Sequence, residues 1–227
     1  MTWESIVSEI LDKEGFPRDG PDHPYNYALA NALMQMHRNA SYESLDEFRN
    51  AIVHVWVQTC APLTFIEPEL WTEIFAAVGP IEYGRPLPTE ATTVYRHALS
   101  DESAGWSWTV DPWNLLTAPR QYNVAPQGAF ETLVWKFPER EWFATRIDPQ
   151  HICLTTELGE HTAGAMWALT TDEIVVHPAN LGAIEVVPTD EMRRLFFDNA
   201  IWDKDERRWH RQYGAERSSQ RQTSSIR

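Results

Sequence analysis

Apolar positions over the first eighty residues recur at helical spacing. Tyr25 to Arg38 is rich in Ala, Leu and Met and holds neither proline nor glycine, which predicts a helix. Leu45, Phe48, Ile52 and Val55 repeat at i, i+3, i+7 and i+10 behind Ser44, whose spacing to Glu47 is that of a capping box. That helix should reach about Cys60, where Ala61-Pro62 ends it. A third helix fits Pro68 to Val78, because proline is tolerated in a first turn, Gly79 can cap the end and Pro80 prevents continuation. Leu70, Ile74 and Phe75 would form its buried stripe.

Beyond Gly79 the period changes. Ile81 to Glu90 contains Gly84, Pro86 and Pro88 and reads as a linker or an extended crossing strand. Short β-branched or aromatic segments follow, bounded by Pro, Gly or Asp: Thr92–Tyr95, Trp106–Val110, Thr132–Phe137, Glu141–Ile147, Ile152–Thr155, Glu173–Val176 and Ile184–Val187. Between them, Trp113 to Ala118 suggests a short helix and Glu157 to Gly164 a surface turn. Thr189 should cap a last helix with Met192, Leu195 and Phe196 inward, continuing towards Tyr213. The pattern predicts an α+β chain: a helical subdomain over 1–85, a compact β-rich core over 86–188, then a C-terminal helix and basic tail over 189–227. Strands without regularly interleaved helices exclude a doubly wound parallel sheet.

Composition narrows the function classes. A chain of 227 residues can bury one core, or one core with a small accessory subdomain. No apolar run approaches the roughly 18 residues that span a bilayer, and the N-terminal residues lack the basic and apolar regions of a signal peptide. A cytoplasmic protein with no membrane association is therefore expected. A formal charge of −14 opposes general coating of nucleic acid, although the tail from Lys204 gathers Arg207, Arg208, Arg211, Arg217, Arg221 and Arg227. Cys60 and Cys153 lie far apart and the histidines are scattered, so reduced thiols and no metal are expected. There is no dinucleotide-binding glycine fingerprint, no phosphate-binding P-loop and no nucleophile elbow around Ser103 or Ser107.

What remains is an ordered set of polar groups on short strands: Val94-Tyr95-Arg96, then Gly105-Trp106-Ser107-Trp108-Thr109, then Glu173-Ile174-Val175-Val176. In this order the set resembles the ADP-ribosyltransferase fold, in its arginine–serine–glutamate branch as found in small phage and bacterial proteins. The resemblance spans about Thr92 to Pro188 and implies a transferase of the glycosyltransferase class that uses NAD as substrate, without a metal. Arg96 would bind an NAD phosphate, for which a guanidinium fork is suited. Ser107 and Thr109 would shape the nicotinamide–ribose pocket, and Tyr95 or Trp108 could stack on a ring of the cofactor. Glu173 would be catalytic, stabilising the oxocarbenium-like state as the nicotinamide–ribose bond breaks.

Thr171 stands where relatives that modify protein side chains commonly carry Glu or Gln, so transfer to arginine is not implied. The acceptor would be a protein or a nucleic acid, or water if NAD is simply hydrolysed. The helical N-terminal region could select that acceptor or dock a protein partner. The alternative is a non-catalytic interaction protein on the same scaffold, with its aromatic residues at the interface. An NAD-linked RNA phosphotransferase would want more basic residues near the site.

Overall fold

A computed structural model describes residues 2–14, 24–59, 62–110, 112, 126–156, 173–197, 200–203 and 208–211. The chain divides into two compact units, neither continuous in sequence. One combines Met1–Thr89 with Pro149–His177, and the other combines Glu90–Asp148 with Pro178–Arg227. The change of sequence period near residue 80 marks where helices give way to strands, whereas the units follow contacts, and each takes two separate stretches of chain. Mixed helix and sheet, as α+β implies, is the architecture of the described residues.

The first unit holds α1 (Trp3–Glu14), α2 (Pro24–Asn39), α3 (Leu45–Gln58), α4 (Pro62–Phe65) and α5 (Pro68–Val78). Ser44 caps α3, its hydroxyl accepting the Glu47 N–H at 3.1 Å. The Glu47 carboxylate accepts the backbone N–H groups of Glu43 and Trp3, each at 2.6 Å, and so ties α1 to the start of α3. The Glu43 bond, then the Trp3 bond, hold the Glu47 carboxyl below its ordinary range. Helix α5 ends where proline and glycine place it, with Gly79 at φ 67° donating its N–H to the Phe75 carbonyl at 3.0 Å.

The buried stripe of α5 is Trp71, Ile74, Phe75 and Val78, which corrects the expectation for Leu70. Trp71 is wholly buried because its ring meets Trp56 edge-on at 5.0 Å and Phe75 at 5.4 Å. A large indole at the centre of the face displaces the smaller Leu70 towards its edge. Part of the expected linker, Ile81–Tyr83, is strand β1 and pairs in parallel with β5 (Ile152–Thr156). Strand β5 in turn runs antiparallel to β6 (Glu173–Val176).

In the second unit β4 (Glu141–Ile147) is central, antiparallel to β2 (Thr92–Ala98) on one side and to β7 (Glu185–Val187) on the other. The short strand β3 is Ser107–Trp108. The segment Thr132–Phe137, expected as a strand, is helical up to Lys136, as the end of helix α6 (Pro126–Lys136). Packing decides this against β propensity. Wholly buried Phe130 stacks on Trp142 of β4 at 5.4 Å and meets Phe196 at 5.0 Å, while Leu133 and Val134 pack against the same cluster at helical spacing.

Helix α7 (Thr189–Phe197) buries Met192 and Phe196 but stops at Phe197 rather than continuing towards Tyr213. An antiparallel pair follows, β8 (Ala200–Asp203) with β9 (Arg208–Arg211), whose register sets Trp202 opposite Trp209. The expected helix over 113–118, the turn over 157–164, Cys60 and Thr171 lie outside the described residues. No helix among the described residues is long and apolar enough to cross a membrane.

The α5 stripe yields a contrast between neighbouring positions. Trp71→Ala should destabilise the protein by about 3–5 kcal/mol, while Leu70→Ala should cost less than about 2 kcal/mol. Urea unfolding of the two variants beside the parent chain measures the difference.

Candidate functional site

Strand β2 carries Tyr95 and Arg96, and the chain then turns back through a short 3-10 helix at Ser100–Glu102 to reach β3. The Tyr95 N–H donates to the Thr109 carbonyl at 2.7 Å, and the Thr109 N–H returns a bond to the Tyr95 carbonyl at 3.0 Å. This exchange brings Ser107, Trp108 and Thr109 beside Tyr95 and Arg96. Arg96 Nη1 donates to the Ser107 carbonyl at 2.7 Å, and its Nε donates to the Glu102 carbonyl at 3.2 Å. The guanidinium lies against Gly105, where an added Cβ would meet it and displace it.

The members of this group have different surroundings. Ser107 is half-buried and Thr109 is buried. Trp108 is 2% exposed and its indole Nε1 donates to the Gly105 carbonyl at 2.7 Å. Tyr95 is half-buried and packs against the Phe130–Trp142 cluster. His97, the next residue after Arg96, falls on the opposite face of β2 by strand alternation. It stacks on Trp142 with centroids 4.2 Å apart. Burial, and then the charge of Arg140, lower its pKa to about 4, so it is a neutral imidazole at ordinary pH.

Glu173 belongs to the first unit, at the start of β6 and directly opposite Thr156 in the β5–β6 register. It is 9% exposed, on a strand whose other three residues are wholly buried. Trp56 of α3 donates its indole Nε1–H to Glu173 Oε1 at 3.1 Å. The Thr156 hydroxyl is also wholly buried and has no hydrogen-bond partner. A second charged residue of this unit, Arg85, is equally buried, and its carbonyl accepts from the Thr155 hydroxyl at 2.7 Å. Sequence reasoning missed Trp56, Thr156 and Arg85. Trp56 reads as one more apolar helix position and Arg85 as a linker residue; the one available signal is Gly84, at φ 73°, which turns the chain just before Arg85.

The structure thus brings Arg96, Ser107 and Thr109 together within the second unit, packs Tyr95 against the Phe130–Trp142 cluster and sets Glu173 beside Trp56 of the first. Cys153 is a free, half-buried thiol whose pKa is raised by burial, partly offset by a backbone bond to His177. Among the described residues no three His, Cys, Asp or Glu side chains are placed to share a metal ion. What the groups can do chemically is hold a phosphate (Arg96), hydrogen-bond a sugar or amide (Ser107, Thr109) and stabilise positive charge (Glu173).

No family model, curated protein or solved structure matches the chain, so the roles of these side chains rest on their placement and chemistry. Two outcomes follow from that placement. Gly105→Ala should displace the guanidinium from the Glu102 and Ser107 carbonyls and destabilise the protein by less than about 1.5 kcal/mol, and in an Arg96→Ala background the same change should cost almost nothing, giving a positive coupling in a mutant cycle. The second outcome concerns His97. Its folded-state value lies below the roughly 6.5 of an unfolded chain, so the unfolded chain takes up the proton first as pH falls. The stability that neutral His97 contributes is full above about pH 6.5 and is lost as pH falls towards 4. Urea unfolding across that window should show the decline, and His97→Gln should flatten it.

Proposed function

We propose that this chain binds NAD and breaks its nicotinamide–ribose bond, passing ADP-ribose to a macromolecular acceptor or to water. The observation that carries the reading is the 2.7 Å bond from Arg96 to the Ser107 backbone, which gathers the cation and the hydroxyl residues of the motif into one neighbourhood. In this reading Arg96 anchors a phosphate, its plane already fixed by the carbonyls of Glu102 and Ser107. Ser107 and Thr109 orient the nicotinamide ribose. Glu173 is the catalytic carboxylate of this reading: a carboxylate that accepts from a ribose hydroxyl holds it more strongly as the ring becomes cationic, a stabilisation larger in the transition state than in the ground state. The acceptor, protein or nucleic acid, is chosen by residues other than these, and the helical N-terminal region is the candidate for that choice. A cytoplasmic setting, where NAD is abundant, fits the reading.

A specific feature favours a second reading as an interaction protein on the same scaffold. Trp135 of α6 is 81% exposed and Val186 of β7 58% exposed, both large apolar groups of the second unit turned to solvent.

Incubation with NAD should release nicotinamide, and Glu173→Gln should lower that release by at least about a hundredfold without changing the melting temperature. Chromatographic assay of nicotinamide, with and without cell lysate as a source of acceptor, is the measurement. Absence of release in both conditions rejects the enzyme reading and leaves the interaction protein.

A further inference from the structure

We infer that Trp56 is a positioning residue for the Glu173 carboxylate, an inference that rests on the catalytic role proposed for Glu173 above. The argument begins with the cost of the carboxylate's position. Strand β6 is buried along its whole length, so an apolar residue at 173 would suit the fold better than a carboxylate. A carboxylate held there needs donors, and the indole N–H of Trp56 at 3.1 Å supplies one from 117 residues earlier in the chain.

The identity of the donor matters. An indole N–H donates and never accepts, so it rewards an oxygen that carries charge and gains nothing from a carboxyl proton. Trp56 therefore favours the ionised glutamate, the form that can stabilise a cationic sugar. The donor is also fixed in place. Trp56 meets Trp71 edge-on at 5.0 Å and 78° and Phe75 at 5.8 Å and 63°, and Trp71 is itself anchored by its Nε1 bond to the Pro62 carbonyl at 3.2 Å. Core packing alone would be met by any large apolar ring at position 56. The N–H is the extra feature, and Glu173 is what it addresses.

Thr156 supports the same view. It sits directly across the ladder from Glu173, wholly buried, with its hydroxyl unpartnered. Unmatched polar groups of this kind are uncommon in a region shaped for stability alone.

Two measurements test the inference. In the ¹⁵N-labelled protein the Trp56 indole resonance should lie downfield and exchange slowly, and Glu173→Leu should move it upfield and speed exchange. Trp56→Phe should lower the turnover of nicotinamide release about tenfold while KM for NAD changes less than about twofold, because only a transition-state contact is weakened. Trp56→His, which keeps a ring N–H, should recover part of that loss, and unfolding measurements on both variants separate turnover from stability. An indole resonance indifferent to Glu173→Leu overturns the inference, as does full turnover in a folded Trp56→Phe protein. A parent chain that releases no nicotinamide instead removes the NAD reading, and the Trp56–Glu173 pair is then decided by the resonance alone.

Discussion

A carboxylate placed on a wholly buried strand is the constraint around which the first unit is built. Glu173 can stay there only if donors replace the water it gives up, and the indole of Trp56 is one such donor. To deliver that N–H, α3 has to lie against β6, and the ring of Trp56 has to be held by Trp71 and Phe75 of α5. Those two rings form the buried stripe of α5, so the helix that reads most plainly in the sequence also serves the least legible contact in the unit. The discontinuity of the unit has the same origin: its helices come early in the chain and its carboxylate late, and the parallel β1–β5 pairing joins the two stretches.

The second unit is organised by an aromatic stack and an arginine seat. Phe130, Trp142 and Phe196 bring together α6, β4 and α7, three elements separated in sequence. Arg193 of α7 reinforces this by pairing with Glu131 of α6 at 2.7 Å and lying over the Phe130 ring. That exposed pair is worth little by itself, and the buried rings carry the energy. On β2, strand alternation sends His97 to Trp142 and Arg96 to Gly105, so one strand serves both the core and the candidate site.

Features set by neighbours in sequence were legible, and those set by distant partners were not. Ser44, Pro68 and Gly79 announce helix ends because capping is a matter of a few adjacent residues. Glu141–Ile147 and Glu173–Val176 read correctly as strands from composition and their bounding residues. Thr132–Phe137 misled because its residues favour strands in isolation, while the packing of Phe130, Leu133 and Val134 favours a helix. The β8–β9 pairing was hidden because the two segments become neighbours only once the strands meet. In the site, Arg96 and Ser107 are eleven residues apart and their adjacency follows from one turn of chain. The bond of Trp56 to Glu173 has no local signature at all.

The partners chosen for the two charged residues bear on what those residues can do. The partners of Arg96 include two backbone carbonyls, and those of Glu173 include an indole N–H. These are neutral dipoles. A neutral dipole fixes the direction of a charge and lowers its energy without cancelling it, whereas an ion pair fixes direction by consuming the charge. A purely structural position 173 would be served better by valine or isoleucine. Position 173 instead holds a carboxylate that an indole N–H orients on a buried strand, a setting in which a carboxylate meets a developing cation with little reorganisation.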